Sequence, residues 1–398
     1  MLGQDKRIQE SLEPNYDKLT GLLFWCALIV VSSVYITTPL ISVFSQEFTI
    51  STTVAAWSSS MFSFFYAIGF LFFGPLSDRI GRKEVLLSGM GALAIVTCLL
   101  GFADEFYMIV ILRGIQGFVA ASFAPTAMAY VFDVFPKNKI GSAIGFISFG
   151  YVTAGILGQI FAESIKQTFD WKIIFFSFAL FYFLTSLKIY ISLPRSSQPT
   201  VSTKINDVVK QMKALLLIRN LRITYGITSL LLLTFIGMYT VLGDYLQSTF
   251  QNLTEKDILF IRGAGIVAMV FSPITGMMMK KIKPMFMLRV GLIIGVIGLA
   301  FLGLEGSILF TTLMSIIYVA GISIIFPAIM MLVGEFGYIY RGLANALYAF
   351  ILFIGATLGP IVALYLMKWG SYIFTFGMLA LLMLGGLILT LLYKRKEV

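Results

Sequence analysis

Histidine is absent from this 398-residue chain, cysteine occurs only twice, and charged residues make up 12% of it. The lack of histidine removes the commonest transition-metal ligand and the side chain that titrates nearest physiological pH. Cys26 and Cys98 both sit inside long apolar stretches, so neither a disulfide framework nor a cysteine-based metal site is supported. No catalytic triad, metal-ligating cluster or nucleotide-binding loop stands out, which disfavours an enzyme and implies no cofactor. A formal net charge of +10 suggests nucleic acid at first sight. The bases are instead spread over short loops between apolar runs, the pattern of topology signals and anionic-lipid contacts, and no nucleic-acid partner is expected.

What takes the place of charge is hydrophobic mass: 59% of the residues, far from the mix of a soluble globular domain. A membrane-crossing helix needs roughly 20 consecutive apolar residues. Such runs recur near 20–45, 54–76, 85–103, 106–133, 140–163, 171–193, 221–247, 258–279, 285–304, 307–334, 342–366 and 371–393. The expected fold class is an all-α membrane protein of twelve transmembrane helices with the lipid bilayer as its solvent. Residues 1–19 mix acids with bases and lack the short apolar core and small-residue cleavage site of a signal peptide, so they read as a retained tail. An even number of spans puts both termini on one face. Loops on that face carry most of the Lys and Arg, whereas the opposite loops hold Lys166, Lys172, Lys256 and Lys368. This bias predicts cytoplasmic termini and a multi-pass protein of the cell (plasma or inner) membrane.

The longest polar stretch, PRSSQPTVSTKINDVVKQMKALLLIRN at 194–220, falls near mid-chain. It divides the sequence into a cytoplasmic tail (1–19), an N-terminal six-helix bundle (20–193), a cytoplasmic linker (194–220) and a C-terminal six-helix bundle (221–398). The second part of the linker suits an amphipathic surface helix. The halves repeat faintly at an offset of 201 residues: Gly141 recurs as Gly342, Gly158 as Gly359 and Phe135 as Phe336.

Between spans two and three lies a charged turn, Gly74-Pro75-Leu76-Ser77-Asp78-Arg79-Ile80-Gly81-Arg82-Lys83. Its spacing resembles G-x-L-[SAG]-D-R-x-G-R-[KR], the signature of the major facilitator superfamily of secondary transporters. In span four, Arg113-Gly114-Ile115-Gln116-Gly117 followed by Ala120-Ala121 resembles the R-x-x-Q-G motif of its drug/proton antiporters. A third antiporter signature, G-P-x-x-G-G, is only partly present in Gly150 to Gln159, where the proline is missing; small residues there also serve close helix packing. The corresponding turn of the second half, GMMMKKIKP from Gly276 to Pro284, keeps the glycine and bases but not the aspartate. The resemblance implies two pseudo-symmetric six-helix bundles with the substrate held between them near the midplane. It also implies a cytoplasmic latch of Gly74, Asp78, Arg79, Gly81, Arg82 and Asp133 that holds the outward-open state and breaks for the inward-open one. Asp78 and Arg82 suit an i,i+4 pair, and Asp78 is free to accept from the first amides of span three or four.

Arg113 lies seven residues into span four, about 10 Å deep at about 1.5 Å per residue, with Gln116 on the same helix face. An arginine at that depth must face protein or water. It therefore either binds substrate together with Gln116 or is a structural arginine tied to helix-end carbonyls or a tyrosine. Tyr35, Thr38, Tyr66, Tyr151, Tyr239, Asn345 and Tyr348 are expected around the cavity, with helix packing as the alternative role of each. Proton coupling without histidine needs a carboxylate. Asp244 is the first candidate and Glu163 the second, with Asp244 alternatively pairing with Arg262 as a gate. Surplus positive charge from Arg113 and Arg262 would favour an anionic or zwitterionic cargo.

The expected function is secondary active export of a small amphipathic molecule, a drug or a metallophore- or siderophore-like metabolite, in exchange for protons, by a monomer. The alternatives are a proton-coupled uptake symporter for sugar or organic anion, and a non-transporting receptor or scaffold.

Overall fold

A computed structural model of the chain describes residues 15–195, 205–250, 253, 255–304 and 306–393. Most of the expected tail, residues 196–204 of the expected linker and Lys394 to Lys396 lie outside the described residues.

Among the described residues every regular element is helical. Twelve segments are long and apolar enough to cross a membrane: α1 (Tyr16–Glu47), α2 (Trp57–Ile80), α3 (Arg82–Gly101), α4 (Phe106–Val134), α5 (Lys137–Lys166), α6 (Lys172–Ser192), α7 (Arg219–Thr249), α8 (Phe260–Met278), α9 (Pro284–Leu302), α10 (Ile308–Phe336), α11 (Tyr338–Trp369) and α12 (Tyr372–Leu392). Lipid supplies no hydrogen-bond partners, so a spanning backbone must satisfy itself, and helices do so. Ends are closed by side chains where the sequence offers them: Asn15, Ser307 and Ser371 accept from the third residue onward at the starts of α1, α10 and α12. The second part of the expected linker is helical, Ile205–Leu217, with Leu215 buried.

Several spans are longer than their apolar runs, and three are interrupted. α1 unwinds after Tyr35 into a short turn at Thr38–Leu40 that contains Pro39; α4 breaks between Ala120 and Ala124, just before Pro125; α8 breaks upstream of Pro273. Proline removes an amide donor and crowds the preceding turn. Pro75 and Pro327 nonetheless lie within continuous helix in α2 and α10.

The spans form two six-helix bundles whose internal packing repeats. In the first half Gly158 of α5 lies against the Ser32 carbonyl of α1; in the second, Gly359 of α11 lies against the Leu233 carbonyl of α7. Ser32 and Leu233 are separated by the same 201 residues as the two glycines. Between halves, the same equivalence operates crosswise. Gly74 of α2 meets the Gly342 carbonyl of α11, and Gly276 of α8 meets the Gly141 carbonyl of α5. A Cβ on any of these four would come within 2.7 Å of backbone oxygen, so only glycine lets the helices approach this closely. Both crossings lie toward the terminal face and close it.

Close packing also fixes α2 against α4: a Cβ on Gly117 would lie 2.2 Å from the Phe62 carbonyl oxygen. Gly117→Ala is expected to lower stability by about 1–3 kcal/mol through overpacking, read as a fall in the unfolding midpoint of purified protein. Gly21→Ala, where nothing lies within 4 Å of the added carbon, should leave the midpoint unchanged.

Candidate functional site

Away from the terminal face the bundles part around a cavity of about 1240 Å³. It is lined by α1, α2, α4 and α5 on one side and α7, α8, α10 and α11 on the other. Tyr35, Thr38, Tyr66, Tyr151, Tyr239, Asn345 and Tyr348, picked out from the sequence, all lie on its wall. The mouth carries the polar end of α5, with Gln159, Glu163, Ser164 and Gln167, facing Phe260 and Arg262 of α8. From Tyr151 to Gln167, the residue that caps α5, is sixteen positions, about 24 Å of depth. Phe326, Met128, Met330 and Phe353 make the deeper wall apolar. Tyr66 and Phe70 of α2 pack on Phe353 of α11 at 5.0 and 5.5 Å between ring centroids, an aromatic contact across the halves.

Beneath the cavity the terminal face is shut. Ser148 of α5 donates to the Met330 sulfur of α10 at 3.1 Å, Ser272 of α8 donates to the Gly145 carbonyl at 3.1 Å, and Phe132 of α4 presses on Gly334 of α10. At the outermost layer lies a cluster of two acids and two bases. Arg82 pairs with Asp78 through one nitrogen and with Asp133 Oδ2 at 3.1 Å through Nε, and also donates to Ser77 Oγ at 2.6 Å. Asp133 Oδ1 receives Arg341 Nη1 at 3.3 Å. The Arg341 guanidinium stands over the Phe132 ring, 5.2 Å from its centroid. The Asp133 side chain is only 3% exposed, so its charge is compensated by these two arginines.

The geometry follows from the turn. Helix α2 continues through Asp78 to Ile80, and Gly81, at φ 117°, reverses the chain into α3 in a conformation that other residues rarely adopt. That brings Arg82 back beside Asp78. Arg79 is exposed and outside the cluster. The expected acceptance by Asp78 from span three or four is corrected: its carboxylate lies instead against Gly342 at the start of α11, in the other half. The partner that the sequence did not single out is Arg341. Its position directly before Gly342, the repeat of Gly141, was the available signal.

Three other expectations change. Arg113 and Gln116 are not on the cavity wall. Arg113 is 0% exposed and sits inside the first bundle, donating to the Ser33 carbonyl at 2.9 Å, the Ser58 carbonyl at 3.0 Å, Thr37 Oγ1 at 3.2 Å and Gln116 Oε1 at 2.6 Å. Gln116 passes the contact on to Thr97 at 2.7 Å, so the pair ties together α1, α2, α3 and α4 near the break in α1. Only Ala124 and Met128 of α4, beyond its own break, reach the cavity. Asp244 is exposed, accepts from the Tyr372 hydroxyl at 2.8 Å and does not line the cavity. Arg262 takes the Tyr239 carbonyl instead, and the Tyr239 hydroxyl donates back to the Arg262 carbonyl at 3.2 Å. Five residues separate Tyr239 from Asp244, about 140° around the helix, so one turns to α8 and the other to α12. Glu163 does line the mouth, paired with Lys166 at 2.8 Å.

A sequence model of the Major Facilitator Superfamily matches residues 23–337. The chain belongs to the Major Facilitator Superfamily. It is accordingly a membrane transporter built as two six-helix bundles. Among its relatives are an uncharacterized transporter of Buchnera aphidicola from Schizaphis graminum, 25% identical over 73% of this chain and 71% of that one, and the multidrug resistance protein MdtG of Salmonella arizonae, 31% identical over 61% of each. Among solved structures, the human organic anion transporter MFSD10 (TETRAN) superposes with a TM-score of 0.78 at 16% identity, covering 95% of this chain and all of that one. The superfamily transporter FucP in its outward conformation gives 0.77 at 15%, covering 94% and 99%. At those identities the likeness shows the fold alone.

Replacing Arg113 by Leu orphans a buried amide oxygen and removes four hydrogen bonds, so a loss of about 3–5 kcal/mol in stability is expected. Arg113→Lys, which cannot reach all four acceptors, should fall between. The check is thermal unfolding beside ligand affinity per folded molecule. A structural role predicts that the midpoint falls and the affinity stays.

Proposed function

We propose that this member of the superfamily exports small amphipathic molecules of zero net charge from the cell by alternating access, in exchange for protons, as a monomer with cytoplasmic termini. The observation that carries this reading is a large, largely apolar cavity, open away from the termini and shut beneath by the Asp133 cluster. Its described charged lining consists of Glu163 and Arg262, one of each sign and both at the mouth. With Arg113 turned into the bundle, the surplus positive charge that argued for an anionic cargo is gone. An apolar body on the aromatic floor and a polar or zwitterionic end between Glu163 and Arg262 is the cargo this surface complements. MdtG's name as a multidrug resistance protein supports export. A dedicated metallophore exporter, with several carboxylates to satisfy, finds fewer partners here.

Glu163 is the proposed proton carrier, because it is the acid on the described cavity wall and protonation would release Lys166. In proteoliposomes with an imposed pH gradient, the neutral dye Nile red is expected to move at least about tenfold faster than ethidium or a polycarboxylate chelator. Faster flux of the chelator would overturn the charge argument. In the same vesicles Glu163→Gln should make Nile red flux indifferent to the gradient; a retained response moves the proton elsewhere.

Asp78, Arg82, Asp133 and Arg341, with Gly74 and Gly81, are proposed to hold the terminal face shut. Asp133→Asn leaves Arg341 facing a neutral amide and Arg82 with Asp78 alone, and breaking such a buried pair costs about 3–5 kcal/mol. Spin labels at the exposed positions Lys137→Cys and Lys281→Cys, with Cys98→Ser, should report longer separations across that face in Asp133→Asn than in its absence. Identical distance distributions would remove the cluster from the mechanism.

A further inference from the structure

Among the described residues, three buried polar atoms on the cavity wall have no hydrogen-bond partner: the Tyr151 hydroxyl, the Tyr348 hydroxyl and Asn345 Oδ1. Unpartnered polar atoms at such burial are rare, because each forgoes the water it had in the unfolded chain. Asn345 is 1% exposed and Tyr348 4%. The three come from opposite halves, Tyr151 from α5 and the other two from successive turns of α11.

The asparagine is chemically committed. Its Nδ2 donates to the Arg341 carbonyl at 2.9 Å, which assigns Oδ1 to the other side, and a carbonyl oxygen can only accept. The hydroxyls of Tyr151 and Tyr348 can do either. The acid among the described lining residues, Glu163, lies twelve residues farther along α5, about 18 Å from Tyr151. The surroundings are flat and apolar: Tyr66, Phe70 and Phe353 form the aromatic contact across the halves, and Met128 and Met330 fill beside them. A cation finds no counter-charge among these residues, and an anion finds only neutral hydroxyl donors.

Resting on the reading of this cavity as the cargo site, we propose that its floor recognises an uncharged aromatic group bearing an N–H or O–H donor, with Asn345 Oδ1 as the acceptor and the Tyr151 and Tyr348 hydroxyls completing the contact. Aromatic rings supply the stacking surface. The donor supplies selectivity, because a site built around a buried acceptor penalises the analogue that leaves it unpaired. Asn345 lies one helical turn from Arg341, so the cargo is read by the same stretch of α11 that carries the terminal-face cluster.

The test uses acridone and 10-methylacridone, which share a neutral tricyclic ring and differ by N–H against N–CH₃. Binding to the full-length protein in nanodiscs is followed by probe fluorescence. Acridone is expected to bind about tenfold more tightly than its methylated analogue. Asn345→Leu should bring the ratio close to one by weakening acridone alone. Asn345→Asp, which keeps an acceptor, should retain the preference, and Tyr348→Phe should weaken acridone by about threefold. A variant that merely misfolds would lose both probes together, and the wild-type ratio stands as a test without any variant. Equal affinity for the two probes, binding of neither, or an undiminished preference in Asn345→Leu overturns the inference. If Nile red still crosses vesicles while acridone shows no preference, only this inference fails; if no probe crosses under a gradient, the transport reading fails as well.

Discussion

Two charged pairs meeting on Asp133 tie the two halves together at the terminal face. Arg82 reaches it from the turn after α2 and Arg341 from the start of α11, so a single carboxylate joins the two halves. The attachment would be weak on an exposed surface, where ion pairs contribute at most about 1 kcal/mol. Here the Asp133 side chain is buried, the second acid, Asp78, lies against the backbone of Gly342 in the opposite half, and the four charges sum to zero. Glycines at the α2–α11 crossing make the meeting possible, because a methyl group on either side would hold the charges apart. Charge and close packing are one device at this end of the molecule. The cavity above exists because the same helices diverge from it.

The twelve spans could be read from the sequence because lipid imposes a simple rule on length and polarity, and α1 to α12 follow it. The internal repeat could be read only as a trace of glycines, yet Gly158 and Gly359 do occupy equivalent contacts. Helix breaks were less legible, since apolar residues continue across them: nothing in the hydropathy of α4 distinguishes Ala121 to Phe123 from their neighbours. The seven polar and aromatic residues expected at the cavity lie on its wall. Arg113 illustrates the limit. Depth and spacing establish that a buried arginine needs partners, but whether the partners are cargo or carbonyls depends on the direction the helix faces. A break in α1 supplied the answer, and it was not visible in composition. Arg341 was missed for the converse reason, since a base at a membrane edge has an ordinary explanation and its acid lies 208 residues away.

Once Arg113 is turned inward, the electrostatics of the cavity reverse in meaning. A wall with surplus positive charge becomes one whose described charges are a single acid and a single base at the rim, around a neutral interior. On the proposed reading, selection then rests on shape, aromatic surface and the few polar atoms left unsatisfied, rather than on long-range attraction. Breadth toward apolar bodies and strictness toward a hydrogen-bond donor are compatible in such a chamber, because they are set by different atoms. The arginine contributes indirectly, by holding α1, α2 and α4 where the wall requires them.

The halves touch through backbone at two glycine crossings near one end, Gly74 with Gly342 and Gly141 with Gly276. Two points define a line, and a rigid body pinned at both retains one motion, rotation about that line. Tilting the bundles this way brings the rims of the cavity together without parting either crossing. Under the proposed alternating access, the far entrance would shut while the near one is still sealed, which would put a chamber closed at both ends between the two open forms. A transporter that passes through such a chamber never presents a continuous pore to the ions on either side of the membrane.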